Sequence, residues 1–140
     1  MGFLDLSDQS HARAEERLHS AVVIWLTTIS PDDQPQSTPV WFLWDGDSFL
    51  IYSKPASPKV PSIRANAKVS LHLNSNHVGD DAVIFEAAAR LADDEPPADR
   101  VPAYVEKYAG EIAGLGWTNE RFAGDYSQPI RVVPTRVRAW

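Results

Sequence analysis

The sequence predicts a mainly β protein, a small antiparallel barrel or sheet of six strands with a few helices packed outside it. Short runs rich in β-branched and aromatic residues recur along the chain, separated by Pro, Gly and Asp turn signals. Helical periodicity is confined to a few segments. With 140 residues, 44% of them apolar, the chain can bury a core as one domain, 1–140, without disulfides or metals.

The first elements are a helix and a strand. The helix is short and amphipathic, is predicted over about residues 8–19, and has Ser7 or Asp8 available as its cap. The β-branched, apolar run at residues 21–29 then predicts the first strand.

A second strand is predicted at residues 36–44, after a turn that contains Pro and Asp. Because Pro39 has no N–H to give to a ladder, we expect this strand to lie at an edge, a bulge or an opening, where its backbone is free to bind a flat ligand. The Asp-Gly-Asp sequence at 45–47 indicates a compact hairpin that leads into the third strand, at 48–53.

The middle of the chain predicts one helical turn and two more strands. The turn covers residues 61–66, with Pro61 near its first position. The fourth strand is predicted at 68–74 and the fifth at 81–92. Helix competes with strand at 86–92, which is rich in Ala, but the hairpin partner just upstream favours strand.

The last third of the chain predicts two helices and a final strand. Apolar residues recur at the helical period over 101–115, and Pro102 is compatible with a helix there only in the first turn. A second helical turn is predicted at 117–122, capped by Thr118. The sixth strand is predicted at 129–140.

Composition excludes several classes of function. The net charge of −6 argues against a general nucleic-acid binder and against an anionic membrane surface as partner. The absence of cysteine excludes disulfides, thiol nucleophiles and iron–sulfur sites. No apolar stretch is long enough to span a membrane, and the N-terminus lacks the pattern of a signal peptide, so we expect a soluble, cytoplasmic protein.

The aromatic content is high for so small a barrel, with five Trp, five Phe and four Tyr. We expect part of this aromatic surface to lie at an interface between subunits.

The loop at residues 53–59, Ser-Lys-Pro-Ala-Ser-Pro-Lys, is predicted to carry the function. Between Asp47 and Asp80 the chain has no acidic residue. The basic residues in that interval are Lys54, Lys59, Arg64 and Lys68. Ammonium groups, serine hydroxyls and a nearby helix N-terminus are the components of a phosphate site. The alternative is a merely solvated turn.

No catalytic or metal-binding residue is predicted. The four histidines are scattered, and no Walker loop, Gly-x-Gly-x-x-Gly motif or nucleophile elbow occurs. This pattern is typical of a protein whose bound cofactor supplies the reactive atoms, with the protein providing position and electrostatics. The loop would hold the phosphate of the cofactor, and the strand around Pro39 would hold its ring.

At this point the chain resembles a known family. The features concerned are the strand at 36–42, the hairpin at 45–47, the Tyr-Ser-Lys…Ser-Pro-Lys loop at 52–59, and the Arg-x-Asn segment followed by a strand at 63–71. In order and spacing they resemble the flavin/deazaflavin oxidoreductases, the superfamily of pyridoxamine 5′-phosphate oxidase, and most of all its small members that use coenzyme F-420. The resemblance implies a six-stranded split β-barrel of the Greek-key type, homodimeric, with each cofactor in a groove between subunits.

The resemblance also implies a set of site residues. Ser57 and Lys59 match the phosphate ligands of the family, and the strand from Thr38 to Trp41 matches the one along the cofactor ring. The predicted cofactor-binding residues are Gln36, Thr38, Pro39, Val40, Trp41, Ser53, Lys54, Ser57, Lys59 and Arg64. The C-terminal strand, through Arg136, Arg138 and Trp140, is placed within reach of the partner's site.

Two departures favour F-420 over FMN. Pro58 stands where flavin-binding oxidases commonly carry an arginine, and the C-terminal arginine pattern that grips pyridoxal phosphate is not evident. The polyglutamate tail of F-420 would find counter-charges in Lys54, Lys59 and Arg64. The function predicted is hydride transfer between reduced F-420 and a small unsaturated or heteroaromatic substrate. The alternatives are an FMN-dependent oxidase and a non-catalytic protein that binds F-420, flavin or haem.

Overall fold

The computed structural model describes residues 2–140, in which seven strands form one antiparallel sheet with four α-helices around it. The predicted domain, 1–140, starts one residue earlier, at Met1, which lies outside the described residues. In chain order the elements are α1 (Gln9–Ser20), β1 (Val23–Ile29), β2 (Pro35–Trp41), β3 (Leu43–Trp44), β4 (Phe49–Ser53), α2 (Lys59–Ala65), β5 (Lys68–His72), β6 (Val83–Leu91), a 3-10 helix (Ala98–Arg100), α3 (Pro102–Gly114), α4 (Asn119–Asp125) and β7 (Gln128–Ala139).

The sheet curls so that its two edges meet. Its strand order is β2-β1-β5-β6-β7-β4-β3, so β2 and β3 lie at opposite edges. In the chain, however, only Phe42 separates them. A single residue spans less than 4 Å, and the two edges must therefore come together at Phe42. The predicted class, mainly β with an antiparallel sheet and helices, is confirmed.

The predicted count of six strands is wrong, because the strand expected at 36–44 is two strands. β2 pairs with β1 up to Trp41, and β3 pairs with β4 from Leu43 onward. The backbone of Phe42 is taken by α3 instead of a ladder. Its N–H donates to the Tyr108 hydroxyl at 2.8 Å, and its carbonyl accepts from the Lys107 ammonium at 2.8 Å. These partners lie more than 60 residues away, and nothing in the pattern of 36–44 indicates them.

The other predicted elements are present with small shifts. The alanine-rich segment at 86–92 lies almost wholly in β6, which pairs on both sides with β5 and β7. The hairpin at 45–47 turns through Gly46, whose φ of 96° is in the left-handed region that favours glycine. Helix α2 begins at Lys59, two residues before the predicted start, so Pro61 still lies in the first turn, where N–H groups have no intrahelical partner.

Two hydrophobic clusters pack against opposite faces of strand β4. In β4 every residue is buried, and alternate side chains enter different clusters. Phe49 and Ile51 join the larger cluster inside the curled sheet. Leu50 and Tyr52 join a second cluster under α3 and α4.

The second cluster contains half of the aromatic side chains of the chain. Its aromatic members are Trp41, Tyr52, Tyr104, Tyr108, Trp117, Phe122 and Tyr126. Trp140, at the end of the chain, is 50% exposed. The aromatic content by itself therefore does not require a second subunit.

Residues 2–140 contain neither a membrane-spanning helix nor a cluster of metal-binding side chains. No helix in this part of the chain combines the length and the apolar character needed to cross a bilayer. No three His, Asp or Glu side chains in the same range come together as a metal-binding group.

Candidate functional site

A cavity of about 410 Å³ lies between the end of β2, the lysine loop (residues 53–59) and the segment that joins α3 to α4. Its volume is in the range of sites that bind small molecules. It is lined by Pro39, Val40, Trp41, Tyr52, Ser53, Lys54, Ser57, Lys59, Leu115, Trp117, Phe122 and Tyr126. The lining contains two lysines and no carboxylate.

Lys59 forms the charged end of the cavity together with two serines. Its ammonium nitrogen lies 2.8 Å from Ser57 Oγ and 3.4 Å from Ser53 Oγ. Lys59 is half-buried, and this burial lowers its pKa. Within residues 2–140 no carboxylate lies at ion-pair distance from Lys59 or Lys54. A cation that is partly desolvated and lacks an internal counter-charge favours binding of an anion.

The serine hydroxyls differ in what they can offer a ligand. Ser53 donates to the carbonyl of Lys54 at 3.0 Å, and its oxygen accepts from Lys59. Ser57 also accepts from Lys59, but no acceptor in residues 2–140 takes its own proton. A hydroxyl carries one donor and two acceptor lone pairs, so Ser57 keeps an O–H to donate to a ligand.

The local fold explains why Lys59 is held more firmly than Lys54. A turn closed by the Ser57 N–H and the Lys54 carbonyl, at 3.1 Å, reverses the chain before α2. Lys59 is the first residue of α2, and the buried side chains of that helix, Val60, Ser62 and Ile63, anchor it to the body of the protein. Lys54 precedes the turn and is exposed.

A column of stacked aromatic rings forms another part of the wall. It consists of Tyr108, Trp41, Phe122 and Tyr126, in that order, and all of them except Tyr108 line the cavity. Trp41 stacks on Tyr108 with ring centroids 4.6 Å apart and on Phe122 at 5.2 Å. Phe122 stacks on Tyr126 at 4.6 Å, and the Lys54 ammonium lies 5.5 Å from the centroid of the Tyr126 ring. The column gives the cavity an apolar wall, and its Tyr126 end lies beside Lys54.

Two contacts fix helix α4 so that Phe122 stacks between Trp41 and Tyr126. The side chain of Thr118 caps the helix by accepting from the Arg121 N–H at 3.0 Å, as the sequence predicts. The Arg121 guanidinium lies 4.1 Å from the centroid of the Trp117 ring, a cation–π contact that holds this wall. Helix α3 ends at Gly114. Two residues later the chain turns through Gly116, whose φ of 76° is in the left-handed region.

Seven of the ten predicted cofactor-binding residues line the cavity: Pro39, Val40, Trp41, Ser53, Lys54, Ser57 and Lys59. The other three are Gln36, Thr38 and Arg64. Gln36 and Thr38 lie on the exposed part of β2, opposite Thr28 and Leu26 of β1. Arg64 is exposed on α2. Their assignment as cofactor ligands stays a prediction.

Sequence reasoning missed five lining residues: Tyr52, Leu115, Trp117, Phe122 and Tyr126. The run of aromatic residues after the main helix was the available signal. Four of the five follow the lysine loop by more than 50 residues along the chain. Only packing of α3 and α4 against β4 brings them beside it.

Comparison with known proteins adds a family and several structural relatives. The sequence model of the family described as pyridoxamine 5′-phosphate oxidase matches residues 10–140. A conserved hypothetical protein from Mycobacterium tuberculosis is similar in structure at 27% identity, with a TM-score of 0.73, over 92% of this chain and 82% of that one. No curated protein sequence matches the chain.

Two more distant structures share the fold. An F-420 reductase is 22% identical, with a TM-score of 0.68, over 89% of this chain and 94% of that one. The haem storage protein HutZ from Vibrio cholerae is 12% identical, with a TM-score of 0.66, over 93% of this chain and 94% of that one. At these identities the likeness concerns the fold alone.

Proposed function

This chain belongs to the pyridoxamine 5′-phosphate oxidase family, as its sequence features predicted, and we propose that it binds coenzyme F-420 and transfers a hydride between that cofactor and a small unsaturated or heteroaromatic molecule. The observation that supports this proposal is the polarity of the cavity. Its lining combines lysines and serines, with no carboxylate, and stacked aromatic rings. A ligand that joins a planar conjugated ring to a phosphate matches both groups of side chains.

In this proposal the protein binds and orients. Lys59 and Ser57 bind the phosphate, with charge from the ammonium and a directed donor from the hydroxyl. Backbone groups of Pro39 to Trp41 contact the ring. The aromatic column and Trp117 exclude water from the space beside the ring, where the second reactant would bind. The reduced deazaflavin, when bound, supplies the hydride.

The preference for F-420 over FMN rests on α2. Pro58 precedes this helix in place of an arginine, and Arg64 is exposed near its end. With a rise of about 1.5 Å per residue, the α-carbons of Lys59 and Arg64 are about 7.5 Å apart along the helix axis. In this proposal the polyanionic tail of F-420 leaves the cavity past Lys59 and contacts Arg64 on the surface of α2.

FMN is the second candidate, because the same lysine and serines fit its terminal phosphate equally well. Fluorescence titration of the purified protein with F-420 and with FMN separates the two. Tighter binding of F-420 supports the reductase, and tighter binding of FMN identifies a flavin-dependent oxidase. Binding of F-420 without its reoxidation by any acceptor in a screen would identify a carrier instead of an enzyme.

Replacing Lys59 by Ala tests the phosphate end directly. We expect the free energy of cofactor binding to weaken by about 1–3 kcal/mol, the scale of a charge-assisted hydrogen bond, with little change in the unfolding midpoint. Lys68→Ala, which removes an exposed lysine on β5, is the matched control. Equal affinity in the two variants would show that the loop is an ordinary solvated turn.

We also propose that the protein is a homodimer. Residues 35–39 of the edge strand β2 are exposed. On the outer face of the sheet Glu86 lies opposite Arg136, and within residues 2–140 the two form no ion pair. A two-fold contact could pair such groups between subunits. Sedimentation equilibrium tests this, and a monomer at micromolar concentration would refute it.

A further inference from the structure

The end of β2 that borders the cavity is held by helix α3 as well as by its neighbour in the sheet. The ladder between β1 and β2 ends at the pair Val23 and Trp41. The next residue, Phe42, is fully buried, so both of its backbone polar groups need partners within the protein. Side chains of α3 supply those partners.

Tyr108 alone cannot bond all the backbone polar groups that meet at Phe42, the junction between β2 and β3. Its hydroxyl oxygen accepts the Phe42 N–H at 2.8 Å. The same oxygen lies 2.7 Å from the carbonyl oxygen of Val22 and 3.0 Å from that of Phe42. A hydroxyl has one proton to donate, so one of the two carbonyls requires another donor. The Lys107 ammonium, 2.8 Å from the Phe42 carbonyl oxygen, is that donor.

The charge of Lys107 strengthens this contact in two ways. An ammonium makes a charge-assisted hydrogen bond to the carbonyl, and it lies 3.8 Å from the centroid of the Phe42 ring, in cation–π distance. In residues 2–140 no carboxylate lies at ion-pair distance from Lys107. Its half-burial lowers its pKa to about 8.

The junction is coupled to the cavity through Trp41. Trp41 directly precedes Phe42, and its ring lies between those of Tyr108 and Phe122 in the aromatic column. A shift of the Phe42 backbone would therefore move a ring that lines the cavity.

We propose that Lys107, a residue outside the cavity, is a positioning residue for the candidate cofactor site: it bonds the Phe42 carbonyl and so fixes Trp41 and the end of β2 beside the cofactor ring. The effect on cofactor binding rests on the proposed function. The effect on Phe42 and Trp41 does not, and it can be measured without a cofactor.

Three variants test the proposal by titration with F-420 and FMN at pH 7. Lys107→Met removes the charge and the donor, and we expect about tenfold weaker binding of whichever cofactor the wild type binds. Lys107→Arg keeps both and should restore most of that affinity. Lys68→Met, at an exposed position, should leave the affinity unchanged.

The pH profile separates positioning from simple loss of packing. Between pH 7 and 9 the wild type should lose affinity relative to Lys107→Arg, because a guanidinium stays charged in this range. The other ionisable groups around Lys107 are His19 and Glu15 of α1 and Glu106 and Glu111 of α3. They, like Lys59, are common to both proteins and cancel in the comparison. Burial raises the pKa of the Tyr108 hydroxyl, which stays neutral.

Nuclear magnetic resonance of the free protein provides the second readout. We expect the Phe42 amide and the Trp41 indole signals of the wild type to shift with a midpoint near pH 8, the pKa of Lys107. The two Lys107 variants should lack this transition. If the Phe42 amide and Trp41 indole signals are the same in Lys107→Met as in the wild type at pH 7, or if Lys107→Met binds cofactor as tightly as the wild type, the inference is wrong. If the wild type binds neither probe, the proposed function fails, and the resonances still decide whether Lys107 fixes Trp41.

Discussion

Tyr104 and Tyr108 make a matched pair for measuring what a buried hydroxyl contributes. They lie one turn apart in α3, and their side chains are 1% and 0% exposed. Tyr108 bonds backbone groups of Phe42 and Val22. The Tyr104 hydroxyl has no hydrogen-bond partner in residues 2–140. Burial raises the pKa of both phenols, so both stay neutral near pH 7.

The two substitutions by Phe should therefore change stability in different directions. Tyr108→Phe leaves the buried Phe42 N–H without a partner and removes the donor to Val22, which we expect to cost about 2–4 kcal/mol. Tyr104→Phe removes a polar group that is buried without compensation, and we expect a change between zero and about 1 kcal/mol of stabilisation. Both variants keep the aromatic ring, so packing changes little.

Urea unfolding followed by far-ultraviolet circular dichroism measures both differences. The unfolding midpoint should fall for Tyr108→Phe and stay or rise for Tyr104→Phe, with unchanged m-values. The two variants should differ by about 2–5 kcal/mol. In a thermal scan they should therefore melt roughly 6–25 °C apart, since about 1 kcal/mol shifts the melting temperature of a domain this size by about 3–5 °C. Equal destabilisation of the two variants would refute the argument that hydrogen bonding decides the outcome.

Three further predictions follow from side chains outside the cavity. Arg131 makes two hydrogen bonds to the carboxylate of Glu95, at 2.5 and 2.9 Å, and both side chains are 17% exposed. Arg131→Met should lower the free energy of unfolding in urea by about 2 kcal/mol, because it leaves that largely buried carboxylate unpaired. A loss below about 0.5 kcal/mol would contradict this. Gly46→Ala should lower the free energy of unfolding by about 1 kcal/mol in the same assay, because φ is 96° there and a side chain is strained. Gly124→Ala, within α4 and with open space around it, should raise it by about 0.5–1 kcal/mol. The opposite order would be incompatible with the backbone conformations. The pKa of Lys107 is about 8 in the folded protein and 10.5 for a free lysine, so the unfolded chain binds more protons between these pH values. The contribution of Lys107 to stability should therefore rise over that interval. Unfolding midpoints of wild type and Lys107→Met that run parallel from pH 7 to 10.5 would argue against the lowered pKa.

The pH dependence of Lys107 has opposite signs for stability and for positioning. Burying the ammonium costs stability, so loss of its proton favours the folded state. The charged form nevertheless makes the stronger contact with the Phe42 carbonyl and ring. Raising the pH should therefore stabilise the fold as a whole while it loosens the end of β2. A buried lysine that did not hold Phe42 would still produce the first effect, so only the loosening of β2 identifies positioning.

Local sequence was sufficient for most of the secondary structure. The strands at 48–53 and 129–140, the Gly46 hairpin and the Thr118 cap could be predicted because their causes lie within a few residues: side-chain alternation, a left-handed glycine and a hydroxyl that accepts from the first turn. The lysine loop could be identified as a candidate anion site for a similar reason. Its two lysines and two serines all lie within seven residues.

The sequence alone was therefore enough to predict the fold class, the charged end of the cavity and the family resemblance. Tertiary structure alone decided where the strand at 36–44 breaks, and which rings face the lysines. The break at Phe42 depends on Lys107 and Tyr108, and the aromatic column depends on Phe122 and other residues distant in the chain. A buried polar group or ring is satisfied by whatever the fold brings within a few ångströms, and contacts between residues so far apart leave no periodic pattern in a single sequence.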